Sequence, residues 1–82
     1  MTMNDYQAMA RRTSSTHGPE AASYDKLING VMGLCGEAGE CIDVVKKMMF
    51  QKHELNTDKL IEELGDVLWY CAELASGLGV SL

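Results

Sequence analysis

Apolar residues recur along this chain at intervals of three and four, the period of a helix with one buried face. Between Tyr24 and Met49, residues placed ~100° apart on a helical wheel gather on one side. This apolar set consists of Leu27, Val31, Leu34, Ala38, Cys41, Ile42, Val45 and Met49. The pattern predicts a long helix over about residues 24–49, with Glu37 at the boundary between its apolar and polar faces.

A second long helix is predicted from about Asp58 to Ser76, capped by Asn56 or Thr57 and stopped by Gly77 and Gly79. Its apolar face consists of Leu60, Leu64, Val67, Leu68, Cys71, Leu74 and Ala75. The glycines of the first long helix repeat every three residues, which predicts close approach of another backbone or of a ligand; they are Gly30, Gly33, Gly36 and Gly39.

A short N-terminal helix is predicted to begin after Thr2 or Asn4 and to end near Arg12, followed by a connection over residues 13–23. With one Pro and no alternating β-branched run, the chain is predicted to be all-α. We expect one domain over residues 1–82, an antiparallel pair of long helices with the short helix across it. A core this small is often completed by oligomerisation, so a homodimer or homotetramer is expected.

The charge of the chain narrows its possible partners. A net charge of −5 argues against nucleic-acid polymers and anionic membranes, which bind basic surfaces. No apolar run reaches the ~18 residues of a membrane-spanning helix. Cys35, Cys41 and Cys71 stand in apolar surroundings without metal-ligand spacing, so reduced, buried thiols and a cytoplasmic location are expected.

Two acidic pairs carry the candidate chemistry. Glu37 with Glu40, and Glu63 with Asp66, each place two carboxylates on adjacent helical turns. Glu37 and Glu63 both border apolar faces, so packing of the two helices would bring the four acids together. Four oxygen donors of this kind favour Mg²⁺, or alternatively Mn²⁺. From spacing alone, a second interpretation stays open, in which the acids are ordinary solvated helix surface.

The phrases "GLCGEAGECIDVVKK" and "DKLIEELGDVLWYCAELA" resemble the MazG family of all-α nucleoside triphosphate pyrophosphohydrolases over roughly residues 24–80. The family signature, E-x-x-E followed by E-x-x-D, is matched by Glu37, Glu40, Glu63 and Asp66. The resemblance implies a Mg²⁺-dependent enzyme that binds its metal through these acids. It would hydrolyse ribo- or deoxynucleoside triphosphates between the α- and β-phosphates, in nucleotide-pool house-cleaning. On chemical grounds, either Glu37 or Glu40 can orient the attacking water as general base.

Three further residues are candidates for substrate binding. Lys47 shares the face of Glu40 and can pair with phosphate, while Trp69 and Tyr70 can stack on a base. The alternatives are a salt-bridged lysine and aromatic side chains at an interface or core edge. Glu62 and Glu73 are expected to face solvent, although Glu73 lies on the same side of its predicted helix as Asp66 and can support the site.

The chain also departs from the family pattern. Many members have two consecutive glutamates where this chain has Gly36 and Glu37, which we interpret as a subfamily feature. Members usually continue into another helix that covers the site, whereas this sequence ends at Leu82. A shortened variant, or a neighbouring subunit that supplies the missing wall, is therefore expected. Two alternatives to an enzyme stay open: a non-catalytic metal- or nucleotide-binding module and a helical oligomerisation protein.

Overall fold

The computed structural model describes residues 1–14, 24–51 and 54–82, and these segments form three helices. The helices are α1 (Met3–Arg11), α2 (Tyr24–Phe50) and α3 (Thr57–Leu78). No strand occurs in these segments, so the all-α class, with two long helices and a short N-terminal one, is confirmed. Most of the connection predicted after α1 lies outside the described residues, as do residues 52–53.

Side-chain caps fix the helix ends. Thr2 and Asp5 form a reciprocal capping box: Thr2 Oγ1 accepts from the Asp5 N–H at 3.0 Å, and Asp5 Oδ2 accepts from the Thr2 N–H at 2.9 Å. Asn56 caps α3 by accepting from the Lys59 N–H at 3.1 Å. Gly79 ends α3 in the left-handed conformation with φ 73°. The prediction that Gly77 also stops this helix is wrong, because α3 continues to Leu78.

Helices α2 and α3 pack antiparallel, and glycine allows their backbones to meet. A Cβ atom on Gly30 would lie 2.6 Å from Leu74 Cα, and one on Gly77 would lie 2.8 Å from Leu27 Cα. Both distances are shorter than real Cβ contacts. The close approach predicted from the glycine repeat is therefore confirmed at Gly30. Around Gly36 and Gly39, by contrast, an added Cβ would meet nothing within 4 Å.

The contact line between the long helices does not follow the centre of either apolar face. On α2 it passes through Gly30, Glu37 and Val44, spaced seven residues apart, about a quarter turn from the centre of the apolar face. Apolar side chains on the far side of this line stay open to solvent. The most exposed members of the two predicted apolar faces are Ile42 at 62%, Met49 at 61% and Leu64 at 63%. Leu68, also on the predicted apolar face of α3, is 40% exposed.

The buried apolar residues within the described segments are small: Ala10, Val44, Ala72 and Ala75. The radius of gyration is 14.6 Å, whereas a compact domain of this length has about 12 Å. The helix pair thus forms an open, elongated layer rather than a closed core.

Polar side chains anchor the segment after α1 to the two long helices. Lys26 and Glu73 form a buried ion pair at 3.9 Å, with only 1% and 2% of the side chains exposed. The Glu73 carboxylate also accepts from Ser14 Oγ and from Asn29 Nδ2, both at 2.8 Å. The expectation that Glu73 faces solvent is therefore wrong, because this network draws it inward.

A separate polar contact holds α1 against the end of α3. Gln7 Nε2 donates to Ser76 Oγ at 3.1 Å and to Val80 O at 2.9 Å, while Gln7 Oε1 accepts from the Leu82 N–H. A cavity of about 290 Å³ borders this contact, and its lining contains no acidic side chain.

The structure also bears on the predictions about membrane-spanning helices and about the cysteines. Along the described segments, no helix combines the length and apolarity needed to cross a membrane. The three cysteines are free thiols, as predicted, but Cys35 is exposed and Cys41 and Cys71 are half-buried. The expectation that all three thiols are buried is therefore wrong.

Candidate metal centre

Three of the four predicted acids converge where α2 meets α3. One carboxylate oxygen from each of Glu37, Glu63 and Asp66 lies within 4.8 Å of the others. Their convergence follows from the contact line between the helices. Glu37 lies seven residues after Gly30 on α2, and Glu63 lies fourteen residues before Gly77 on α3, so both occupy the line along which the backbones meet.

Glu63 is the buried member of this acidic cluster, with 4% of its surface exposed. Its Oε1 atom pairs with Lys59 Nζ at 3.0 Å. Its Oε2 atom is buried and, among the described residues, has no hydrogen-bond partner. A carboxylate oxygen withdrawn from water without a donor is costly, so this atom is available for a ligand.

The proximity of the acids perturbs their protonation. A hydrogen bond to Glu63, with smaller contributions from desolvation and from the charges of Glu63, Asp66 and Glu40, raises the pKa of Glu37 to about 7. The same hydrogen bond, together with Lys59, lowers the pKa of Glu63. Two ionised carboxylates have no proton to share, so this bond exists only while Glu37 keeps its proton. When Glu37 ionises, the two carboxylates share no proton and their charges repel each other.

These properties suit a hard divalent cation. Carboxylate oxygens are the preferred protein ligands of Mg²⁺ and Mn²⁺. A cation between the three acids would offset their mutual repulsion and give the buried Glu63 Oε2 the partner that it lacks. The chemistry of the donor set therefore fits such an ion.

Glu40 stands apart from this cluster. It is exposed and lines a neighbouring cavity of about 250 Å³, together with Asp43, Val44, Lys47, Glu54, Asn56 and Lys59. Lys47 pairs with Asp43 at 3.3 Å within this lining. The cavity thus has two ammonium groups and three carboxylates in its lining, and one of these carboxylates, Glu40, is a predicted site residue.

Trp69 and Tyr70 make their observed contacts with the protein itself. Trp69 Nε1 donates to Thr13 Oγ1 at 3.1 Å, and its ring meets that of Tyr70 edge to face at 5.1 Å. The Tyr70 ring occupies the space that a side chain on Gly33 would need. These contacts match the core-edge alternative, and a stacking role for either ring stays a prediction.

Sequence reasoning did not single out Lys59. Its ammonium group lies 3.0 Å from Glu63 and 3.6 Å from Glu62. Its spacing of three and four residues from these acids is a standard helical pairing signal. That signal could have identified Lys59 once Glu63 was recognised as a site residue.

Comparisons with known proteins identify the family of this chain. A family model for the MazG nucleotide pyrophosphohydrolase domain matches residues 27–80. The chain is also similar to the Gene 37 protein of Mycobacterium phage L5, with 41% identity over 87 aligned residues, covering 100% of this chain and 76% of the phage protein. No solved structure matches.

Proposed function

The chain belongs to the MazG nucleotide pyrophosphohydrolase family, and from this premise we propose that it is a Mg²⁺-dependent nucleoside triphosphate pyrophosphohydrolase. Its substrate would be a ribo- or deoxyribonucleoside triphosphate, hydrolysed to a nucleoside monophosphate and pyrophosphate. The observation that carries the proposal is the convergence of both acidic motifs on one point, where Glu63 keeps a buried oxygen without a partner.

Glu37, Glu63 and Asp66 would hold the cation, with Glu40 at the edge of the same site. When bound, Mg²⁺ would offset the charge of the phosphates, polarise the reacting phosphoryl group and make water a stronger nucleophile. The rigid contact between α2 and α3 holds the three carboxylates ready, so little reorganisation would be needed on binding.

Glu40 is our preferred general base. It is the one acid of the four that lies outside the cluster and lines the adjacent cavity, where a carboxylate can accept a proton from water. Water would attack the α-phosphorus, the bridging bond to the β-phosphate would break, and pyrophosphate would leave. Glu37 is the alternative base, since its pKa of about 7 lies near neutral pH.

The cavity beside the cluster would receive the phosphates. Lys47 lines it and can pair with phosphate oxygens once released from Asp43. Trp69 and Tyr70 are retained as candidate base contacts. Nucleotide-pool house-cleaning in the cytoplasm is the physiological setting that we propose.

Pyrophosphate release from a panel of nucleoside triphosphates with Mg²⁺ tests the activity. Asp66→Asn and Glu40→Gln should each lower the rate, the latter by about 10²-fold or more if Glu40 is the base. Glu62→Gln is the matched control, since Glu62 is exposed and lies outside the cluster. Unchanged release in both site variants, or no cleavage of any triphosphate, would refute the enzymatic proposal. Mg²⁺ titration would then distinguish a binding module from a purely structural protein.

We also propose that two or four copies associate through the apolar surface left open on α2 and α3. On both helices, the exposed apolar face lies about a quarter turn from the line along which α2 and α3 meet. Because the helices run antiparallel, both faces point to the same side of the pair and form one surface. It includes Ile28, Val31, Ile42, Met49, Ile61, Leu64 and Leu68.

The size of the exposed surface supports association. The chain exposes 5680 Å², against about 4,900 Å² for a compact monomer of its mass. The excess of roughly 800 Å² equals what one subunit buries in a standard interface. Pairing two such helix layers would produce a four-helix bundle, a common way to enclose a core.

A further inference from the structure

Lys59 borders both the acidic cluster and the cavity beside it. Its ammonium group lies 3.0 Å from Glu63 Oε1, and its side chain lines the cavity that Glu40 and Lys47 also line. The side chain is about half exposed, at 46%. One lysine can therefore reach either the buried carboxylate or a group within the cavity by rotation about its own side-chain bonds.

We propose that Lys59 is a phosphate-binding residue that pairs with Glu63 in the free protein and exchanges this carboxylate for a phosphate oxygen when metal and nucleotide bind. This inference rests on the proposed function and adds a role for a residue outside the acidic motifs. In the free protein, Lys59 supplies positive charge to a cluster of three acids. In the complex, the same charge would face the triphosphate.

Electrostatics give the reason for the exchange. A divalent cation among Glu37, Glu63 and Asp66 would repel the ammonium group of Lys59, because that group lies 3.0 Å from one of the carboxylates that would bind the cation. Lysine carries its charge on a flexible stem with three rotatable donors. The cavity is the nearest place where anionic oxygens of a metal-bound nucleotide would lie.

The position of Lys59 at the beginning of α3 strengthens this assignment. Asn56, the N-cap of α3, lines the same cavity, so the positive end of a 22-residue helix lies beside the lysine. Lys47 adds a second ammonium group to the lining. The same lining carries the carboxylates of Glu40, Asp43 and Glu54, so the two lysines and the helix N-terminus are the groups in it that a polyphosphate would pair with, next to the acids suited to its cation.

The exchange predicts opposite effects on two binding constants. Calorimetric titration of Mg²⁺ alone should show about threefold tighter binding in Lys59→Met, because a competing cation has been removed from Glu63. Titration of a non-hydrolysable triphosphate with an α,β-methylene bridge, in saturating Mg²⁺, should show about tenfold weaker binding, because a charge-assisted hydrogen bond is lost. Lys59→Gln should repeat both shifts.

Lys46→Met is the control variant. It removes the same charge from an exposed position that does not line the cavity, so both constants should stay within about twofold of the wild-type values. Unchanged or weaker Mg²⁺ binding, or unchanged nucleotide binding, in both Lys59 variants would overturn the role of Lys59 alone. Failure of the wild-type protein to bind Mg²⁺ or the analogue would instead overturn the proposed function, and the Lys59 role with it.

Discussion

Gly30 is the place on α2 where one added methyl group should disturb the packing of the long helices most clearly. A Cβ atom there would lie 2.6 Å from Leu74 Cα and 2.7 Å from Leu74 N. Ordinary contacts begin at 3.4 Å, and backbone atoms cannot rotate away, so the helices would have to separate by roughly 1 Å in an overpacked seam. Such overpacking costs about 1–3 kcal/mol, whereas alanine in a helix gains up to ~1 kcal/mol over glycine.

Gly30→Ala should therefore lower the free energy of unfolding by about 1–2 kcal/mol, or the melting temperature by about 4–8 °C per kcal/mol. Gly36→Ala on the same helix is the control: its Cβ would meet nothing within 4 Å, so it should stabilise by up to ~1 kcal/mol. Urea unfolding followed by circular dichroism, at one fixed protein concentration, measures both. A Gly30→Ala midpoint at or above the wild-type value would refute the close approach of α2 and α3.

Three other predictions follow from the site and its surroundings. The pKa of Glu37 is raised from 4.5 to about 7, so the metal-free fold binds this proton more tightly than the unfolded chain does. The stabilisation of the fold that results is complete below pH 4.5 and is lost as pH rises through 7. Glu37→Gln should flatten the melting temperature across that window, and an unaltered pH profile would contradict this. Leu64→Lys should reduce the mass measured by light scattering to that of one chain, whereas Glu62→Gln should not; an unchanged mass in Leu64→Lys would count against the apolar interface. Glu73→Gln removes the carboxylate from the buried Lys26 pair and should cost about 3 kcal/mol or more in thermal unfolding, a loss that would be absent if the pair were solvated.

The sequence was sufficient to predict the local structure of the chain. The spacing of apolar residues and the composition predicted three helices. Side chains able to cap a helix predicted where helices begin, and Thr2 and Asn56 are both confirmed as caps. These features depend on residues within one or two turns of each other, which sequence spacing records directly. The continuation of α3 past Gly77 was missed because a helical glycine can serve a close contact as well as a stop.

The acidic motifs were also visible in the sequence, since their spacing and the surrounding phrases carry the family resemblance. Convergence of the acids at the contact between the helices was predicted as well, but which of the four meet was not. Glu37, Glu63 and Asp66 form one cluster, while Glu40 lines the cavity beside it. Which carboxylates meet depends on the rotation of each helix about its own axis, and two residues three apart on one helix contain no information about that rotation.

What the sequence determined by itself was therefore the type, extent and polarity of each helix and the residues that carry the candidate chemistry. The tertiary structure decided which line of each helix faces the other. The backbones meet at Gly30 and Gly77. As a result, each helix is rotated about its own axis so that the centre of its apolar face lies about a quarter turn from the contact line. That rotation buried Glu63 and left Leu64 exposed. The physical reason is that periodicity orders residues around one helix, whereas close packing between two backbones selects the side on which they meet.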